Sequence, residues 1–204
     1  MKTLLFLLLP AAAFCQPLSQ GERDRAMSEL HATRKQFLDA VAGLSPAQWN
    51  FKPSAQAWSI AEIASHLAVG EDFLFQNITR KIMASPAQPE KKSAAQKQKD
   101  EMVLKTIPDR TSKRQSPPEM LPDGRSTPEA TVAHFRASRD RTIAYIQKTQ
   151  DDLRAHFATH RVVGEIDAYQ FVLVMAAHTA RHVAQIEEVK AGPRYPRAAN
   201  GARP

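Results

Sequence analysis

Apolar residues recur at three- and four-residue steps in four stretches of the chain, and helix start and stop signals bracket them. In residues 20–43, Met27, Leu30, Phe37, Leu38 and Val41 share a face, Arg34 lies on or near it, and Gly43 closes the pattern. Ser45 and Pro46 restart a short turn as N-cap and first helical residue, and Trp49 and Phe51 are expected to plug one end of the core. The second helix opens at Ser59 and Glu62, which have capping-box spacing. Ile63, His66, Leu67, Gly70, Phe73, Leu74 and Ile78 follow at helical steps, with Glu71 and Asp72 toward the edges of that stripe. Thr127-Pro128-Glu129 starts the third helix, whose stripe is Val132, Phe135, Arg139, Thr142, Ile143 and Ile146. The fourth begins at an Asp167 cap with Gln170 three residues on and ends at Gly192-Pro193. Phe171, Val174, Met175, His178, His182, Ile186 and Val189 form its stripe.

Pro86 and Pro89 end the second helix, and residues 85–126 form a long connection, with a short helix expected near 95–105. A connection of this length inside a compact domain acts as a lid or as a wrap-around segment. Residues 153–157 read as a loop. The pattern predicts an all-α protein: a four-helix bundle with a long crossover connection between the second and third helices.

Composition adds a leader and a constraint on chemistry. Lys2, the apolar run Leu4 to Leu9, and Ala13 and Cys15 at the −3 and −1 positions predict a signal peptide over residues 1–15, cut before Gln16. The mature domain would be residues 16–192, periplasmic or secreted, with a basic, disordered tail over 193–204 and no stable membrane insertion. The rival is lipidation of Cys15, against which the bulky Phe14 argues. Cys15 is the only cysteine, so disulfides and thiolate metal sites are excluded and any metal binds through nitrogen and oxygen. The formal charge is +7, concentrated in residues 91–115 and the tail. No aromatic residue interleaves the 91–115 run, so it reads as a solvated loop, with no nucleic-acid partner.

The candidate chemistry lies in histidines on apolar stripes. His178 and His182 sit one turn apart on one face, and His66 lies on the core face of another helix. A single histidine on such a face is more often a hydrogen-bonded core residue. Three of them suit a divalent metal, whose open positions admit water or substrate. His31, His134, His156 and His160 read as surface residues, and Arg34 and Arg139 as snorkelling residues at stripe edges. Thr179 stands where a zincin-type metalloprotease carries its glutamate, which argues against that class.

Trp58-Ser59-Ile60-Ala61-Glu62 leading to His66-Leu67, and His178-Thr179-Ala180-Arg181-His182 with Gln185-Ile186, resemble the DinB-like superfamily, in the branch called DinB_2. Asp109-Arg110, Lys113, Pro118-Glu119 and Pro122 resemble its connecting segment, and the likeness covers residues 20–191. The resemblance implies a four-helix bundle, often dimeric, with a divalent metal (Zn, Ni or Fe) held by His66, His178 and His182. Relatives include metal-dependent hydrolases and thiol-dependent S-transferases and isomerases; the family name implies no DNA chemistry. An exported protein meets little reduced thiol. The expected function is therefore a metal-dependent hydrolase of small molecules, with Arg139 or Gln185 orienting the substrate. The alternatives are a non-catalytic metal- or ligand-binding bundle and a thiol-dependent S-transferase.

Overall fold

The computed structural model describes residues 16–122 and 126–197; residues 1–15, where a leader with Cys15 is expected, 123–125 and 198–204 lie outside the described residues. Among the described residues six α-helices and one hairpin follow in order: α1 (Gln20–Val41), α2 (Pro46–Asn50), α3 (Ile60–Gln76), α4 (Ala95–Thr106), α5 (Pro128–Lys148), β1 (Phe157–His160), β2 (Gly164–Asp167) and α6 (Ala168–Lys190). Side chains set the helix starts. Ser19, Ser45, Ser59 and Asp167 each close a capping box, and Thr127 caps α5 ahead of Pro128. α3 runs on through a π-helical turn, Asn77–Ile82. No helix among the described residues is long and apolar enough to cross a membrane.

α1, α3, α5 and α6 form the bundle. α6 packs against α1 and α3, and α5 packs against the same two helices, so the chain neighbours α5 and α6 lie across a diagonal. The fold class is as expected. The crossover between α3 and α5 contains α4, which packs on α6, and a 3-10 turn, Pro118–Met120, which packs on α3.

The core splits into two apolar clusters. One surrounds Leu30, Ile78, Ile146 and the first half of α6; the other gathers Phe37, Trp49, Leu67, Phe135, Ile186 and Val189. Between them lies a buried polar layer with one residue from each bundle helix: Thr33, Glu71, Arg139 and Thr179. Arg139 is 0% exposed and makes a two-pronged ion pair with Glu71, at 2.6 and 2.8 Å. The snorkelling expectation fails for Arg139 and the stripe-edge expectation fails for Glu71, because the two neutralise each other in the interior. Arg34 does lie at an edge, half-exposed and paired with Asp140.

A second buried cation, Arg154, binds Glu22, Asp100 and Asp167 and lies over the Tyr169 ring, which joins α1, α4 and the start of α6. Two further departures concern chain ends. The stretch after Leu153 becomes an antiparallel hairpin, with Phe157 opposite Asp167 and His160 opposite Gly164, which takes φ +74°. Its strands of four residues are too short for alternation to stand out in sequence. Residues 193–197, expected to be disordered, fold back on α2: Tyr195 meets Phe51 edge to face, and Gln48 donates to the Pro196 carbonyl.

Candidate metal centre

His66 lies in the middle of α3, and His178 and His182 lie one turn apart in α6. The α3–α6 interface brings the three rings together. His66 Nε2 is 3.1 Å from Nε2 of His178 and 3.1 Å from Nε2 of His182. All three donor atoms fall within 4.8 Å of one another, the one such group among the described residues.

Two rings have their tautomer fixed from behind. His66 Nδ1–H donates to the Met120 carbonyl at 2.6 Å, and His182 Nδ1–H donates to Gln185 Oε1 at 2.8 Å. Each ring therefore turns an Nε2 lone pair inward, and the two face each other across 3.1 Å. Only a cationic ring could put a proton between them, and burial opposes that. Burial lowers His66, and burial followed by the neighbouring His66 takes His182 down to about 3. His178 is pushed well below the usual imidazole range by burial and then by the other two rings. A divalent cation resolves the conflict by accepting all three lone pairs, so the donor set fits the metal. Nε2 of His66, His178 and His182 would hold the ion, and a set of three protein ligands would leave it able to take water or substrate as well.

The surroundings hold this arrangement. The Trp58 ring lies 5.0 Å from that of His66 and nearly parallel to that of His182 at 6.4 Å. Gly70 admits the crossover, since a Cβ there would stand 2.7 Å from Met120 Cε and 3.5 Å from His178 Cε1. Arg181 donates to the carbonyls of Asp109 and Ser112, and Arg110 pairs with Glu188, which straps the crossover onto α6. These residues explain how the long crossover delivers the 3-10 turn at Met120 to His66.

Of the two residues expected to orient substrate, Arg139 has every N–H engaged, by Glu71, Thr33, Thr179 and the carbonyls of Leu30 and Met175. Gln185 acts on His182. Thr179 points into the polar layer, where it accepts from Arg139 at 2.7 Å. His31 and His134 are exposed, whereas His156 and His160, expected at the surface, are half-buried. His156 bonds the Ser85 carbonyl and His160 packs on Phe171. Nothing in the sequence marks Met120, which acts through its backbone, whereas the spacing of Glu71 with Leu67, Leu74 and Ile78 does carry a core signal.

A helical bundle with three convergent imidazoles defines a class of metal-site proteins, and comparison narrows the class. The chain belongs to the DinB superfamily: the DinB_2 family model matches residues 29–186. It is 26% identical over 165 residues to the uncharacterized protein YuaE of Bacillus subtilis (strain 168), covering 80% of this chain and 96% of that one. Its fold is similar to that of YfiT from Bacillus subtilis, described as a probable metal-dependent hydrolase with an unusual four-helix bundle topology. The TM-score is 0.53 at 16% identity, over 88% of this chain and 91% of that one.

The depressed histidines have a consequence for the metal-free protein. Below about pH 6.5 the unfolded chain takes up protons on these residues more readily than the folded chain, so stability is full above that value and lost as pH falls below it. Melts of chelator-treated protein are expected to fall from about pH 7 to about pH 5, by up to about 1.4 kcal/mol per pH unit for each histidine. The slope should be shallower in a His178→Leu/His182→Leu variant.

Proposed function

We propose that this protein is an exported, divalent-metal-dependent hydrolase of small molecules, with the metal held by Nε2 of His66, His178 and His182. The observation that carries this reading is the pair of inward lone pairs on His66 and His182, 3.1 Å apart and fixed by acceptors behind each ring. A metal bound to three neutral ligands supplies a Lewis acid and an acidic water near neutral pH. The chain's own residues bind and orient: Met120 and Gln185 hold two rings, Trp58 shields their flank, and the Glu71–Arg139 pair fixes α3 against α5. The description of YfiT as a probable metal-dependent hydrolase supports the same reaction class for this chain.

Metal analysis of freshly purified protein, followed by a screen against esters, amides and thiol acceptors, tests the reading. Stoichiometric metal with water-dependent turnover supports it. Metal without turnover makes the protein a binder, and turnover that needs a low-molecular-weight thiol makes it an S-transferase. Gln185→Leu is expected to weaken metal retention about 10–100-fold with turnover per bound metal unchanged. A fall in turnover at full occupancy would place Gln185 against substrate instead.

A further inference from the structure

The arm ahead of α1 ends at a buried carboxylate. The backbone N–H of Gln16 donates to Asp152 Oδ2 at 3.0 Å, and Lys92 Nζ donates to the same oxygen at 2.7 Å. Asp152 is 8% exposed, and its Oδ1 is buried with no hydrogen-bond partner among the described residues. A buried carboxylate oxygen without a donor is costly, and an amide N–H brings one proton only. Two residues on, Leu18 is buried in the core, and Ser19 caps α1. The arm is short and stiffened by Pro17, whose ring fixes φ and whose nitrogen has no N–H. The position of Gln16 nitrogen is therefore set by the fold.

We propose that removal of the leader between Cys15 and Gln16 completes this site: the new α-ammonium of Gln16 docks on Asp152, satisfies both carboxylate oxygens and locks the start of α1 to the loop after α5. The inference rests on the export reading given above. Hydrolysis by a leader-removing protease consumes one water. Its hydroxyl goes to the Cys15 carbonyl carbon, and both released protons end on the Gln16 nitrogen, leaving a carboxylate and an ammonium. The amide that donated once becomes a cation with three donors beside an oxygen that lacks one. Lipidation at Cys15 would leave Gln16 an amide and the site incomplete.

The test begins with the full chain exported from its own leader, with the mature amino terminus read by mass spectrometry. A start other than Gln16 overturns the proposal at its first step. Thermal melts then compare three forms: the mature chain, a chain with one extra residue before Gln16, and a mature chain cyclised by glutaminyl cyclase. In the last, the α-nitrogen displaces the side-chain amide as ammonia and becomes an uncharged lactam. The mature form is expected to melt roughly 3–12 °C above both others. Asp152→Asn should erase the differences. The docked ammonium has no free lone pair, so spontaneous cyclisation is expected to be slower in the parent than in Asp152→Asn. Equal melting of the three forms with a confirmed Gln16 terminus would sink the lock while leaving export intact. So would a difference that survives Asp152→Asn. If that variant does not fold, the parent and cyclised forms still decide.

Discussion

Replacing His182 by alanine is expected to abolish metal retention and leave the helix content unchanged. His182 carries one of the three clustered imidazole nitrogens, and its loss would leave two donors, too few to hold a divalent ion against water and chelators. The effect should exceed the roughly 10–100-fold cost of an outer-shell change such as Gln185→Leu. The fold should survive because α6 is anchored by Tyr169, Phe171, Leu173 and Met175 in one cluster and by Ile186 and Val189 in the other. Removing an imidazole also relieves the facing lone pairs, so the metal-free variant should melt no lower than the metal-free parent by more than the cost of a small cavity. Metal content after dialysis against a chelator, set beside far-ultraviolet circular dichroism, checks both halves. Full occupancy in the variant would remove His182 from the ligand set.

The four bundle helices were legible because each carries a cap and an apolar stripe close together in sequence. Ser59 with Glu62 and Asp167 with Gln170 form the boxes that their spacing predicts. The three histidines were legible for a related reason. Two lie one turn apart, which helix geometry alone places together, and the third lies on a core-facing stripe that the packing of α3 on α6 turns toward them. What escaped depends on contacts between distant parts of the chain. No periodicity marks Met120 as a partner of His66, since the contact is made by its carbonyl and depends on Arg181 strapping the crossover and on Gly70 leaving room. The hairpin escaped because four-residue strands are below the length at which alternation is distinctive.

Arg139 departs from its sequence expectation for a different physical reason. A lone cation on an apolar stripe reads as a snorkelling edge residue, and a lone carboxylate on another reads the same way; pairing the two stripes turns both into interior residues. Glu71 and Arg139 sit where the two apolar clusters meet, next to the histidine layer. Glu71 follows Gly70, and Thr179, which accepts from Arg139, lies between His178 and His182 in sequence. The pair thus fixes the rotation of α3 and α6 about their axes, and through that rotation the aim of His66 and His178.

Arg139→Met is accordingly expected to cost about 3–5 kcal/mol, a fall in melting temperature of roughly 6–20 °C for a domain of this size. The loss comes chiefly from Glu71, left as an uncompensated carboxylate at 1% exposure, and secondarily from Thr33 and Thr179, which lose their donor. Glu71→Leu in the parent should cost a similar amount by stranding the guanidinium. The double variant Glu71→Leu/Arg139→Met should recover most of the loss, because apolar side chains of comparable volume then occupy a layer already bounded by apolar clusters. Chemical denaturation of the four proteins closes the cycle. If the pair only stabilises the fold, the double variant should bind metal as tightly as the parent. If the pair aims the histidines, metal affinity should stay low in the double variant even where stability returns. The second outcome is the one expected, because methionine and leucine can fill the layer but cannot specify the rotation of α3 against α6 that sets the 3.1 Å spacing between the imidazoles.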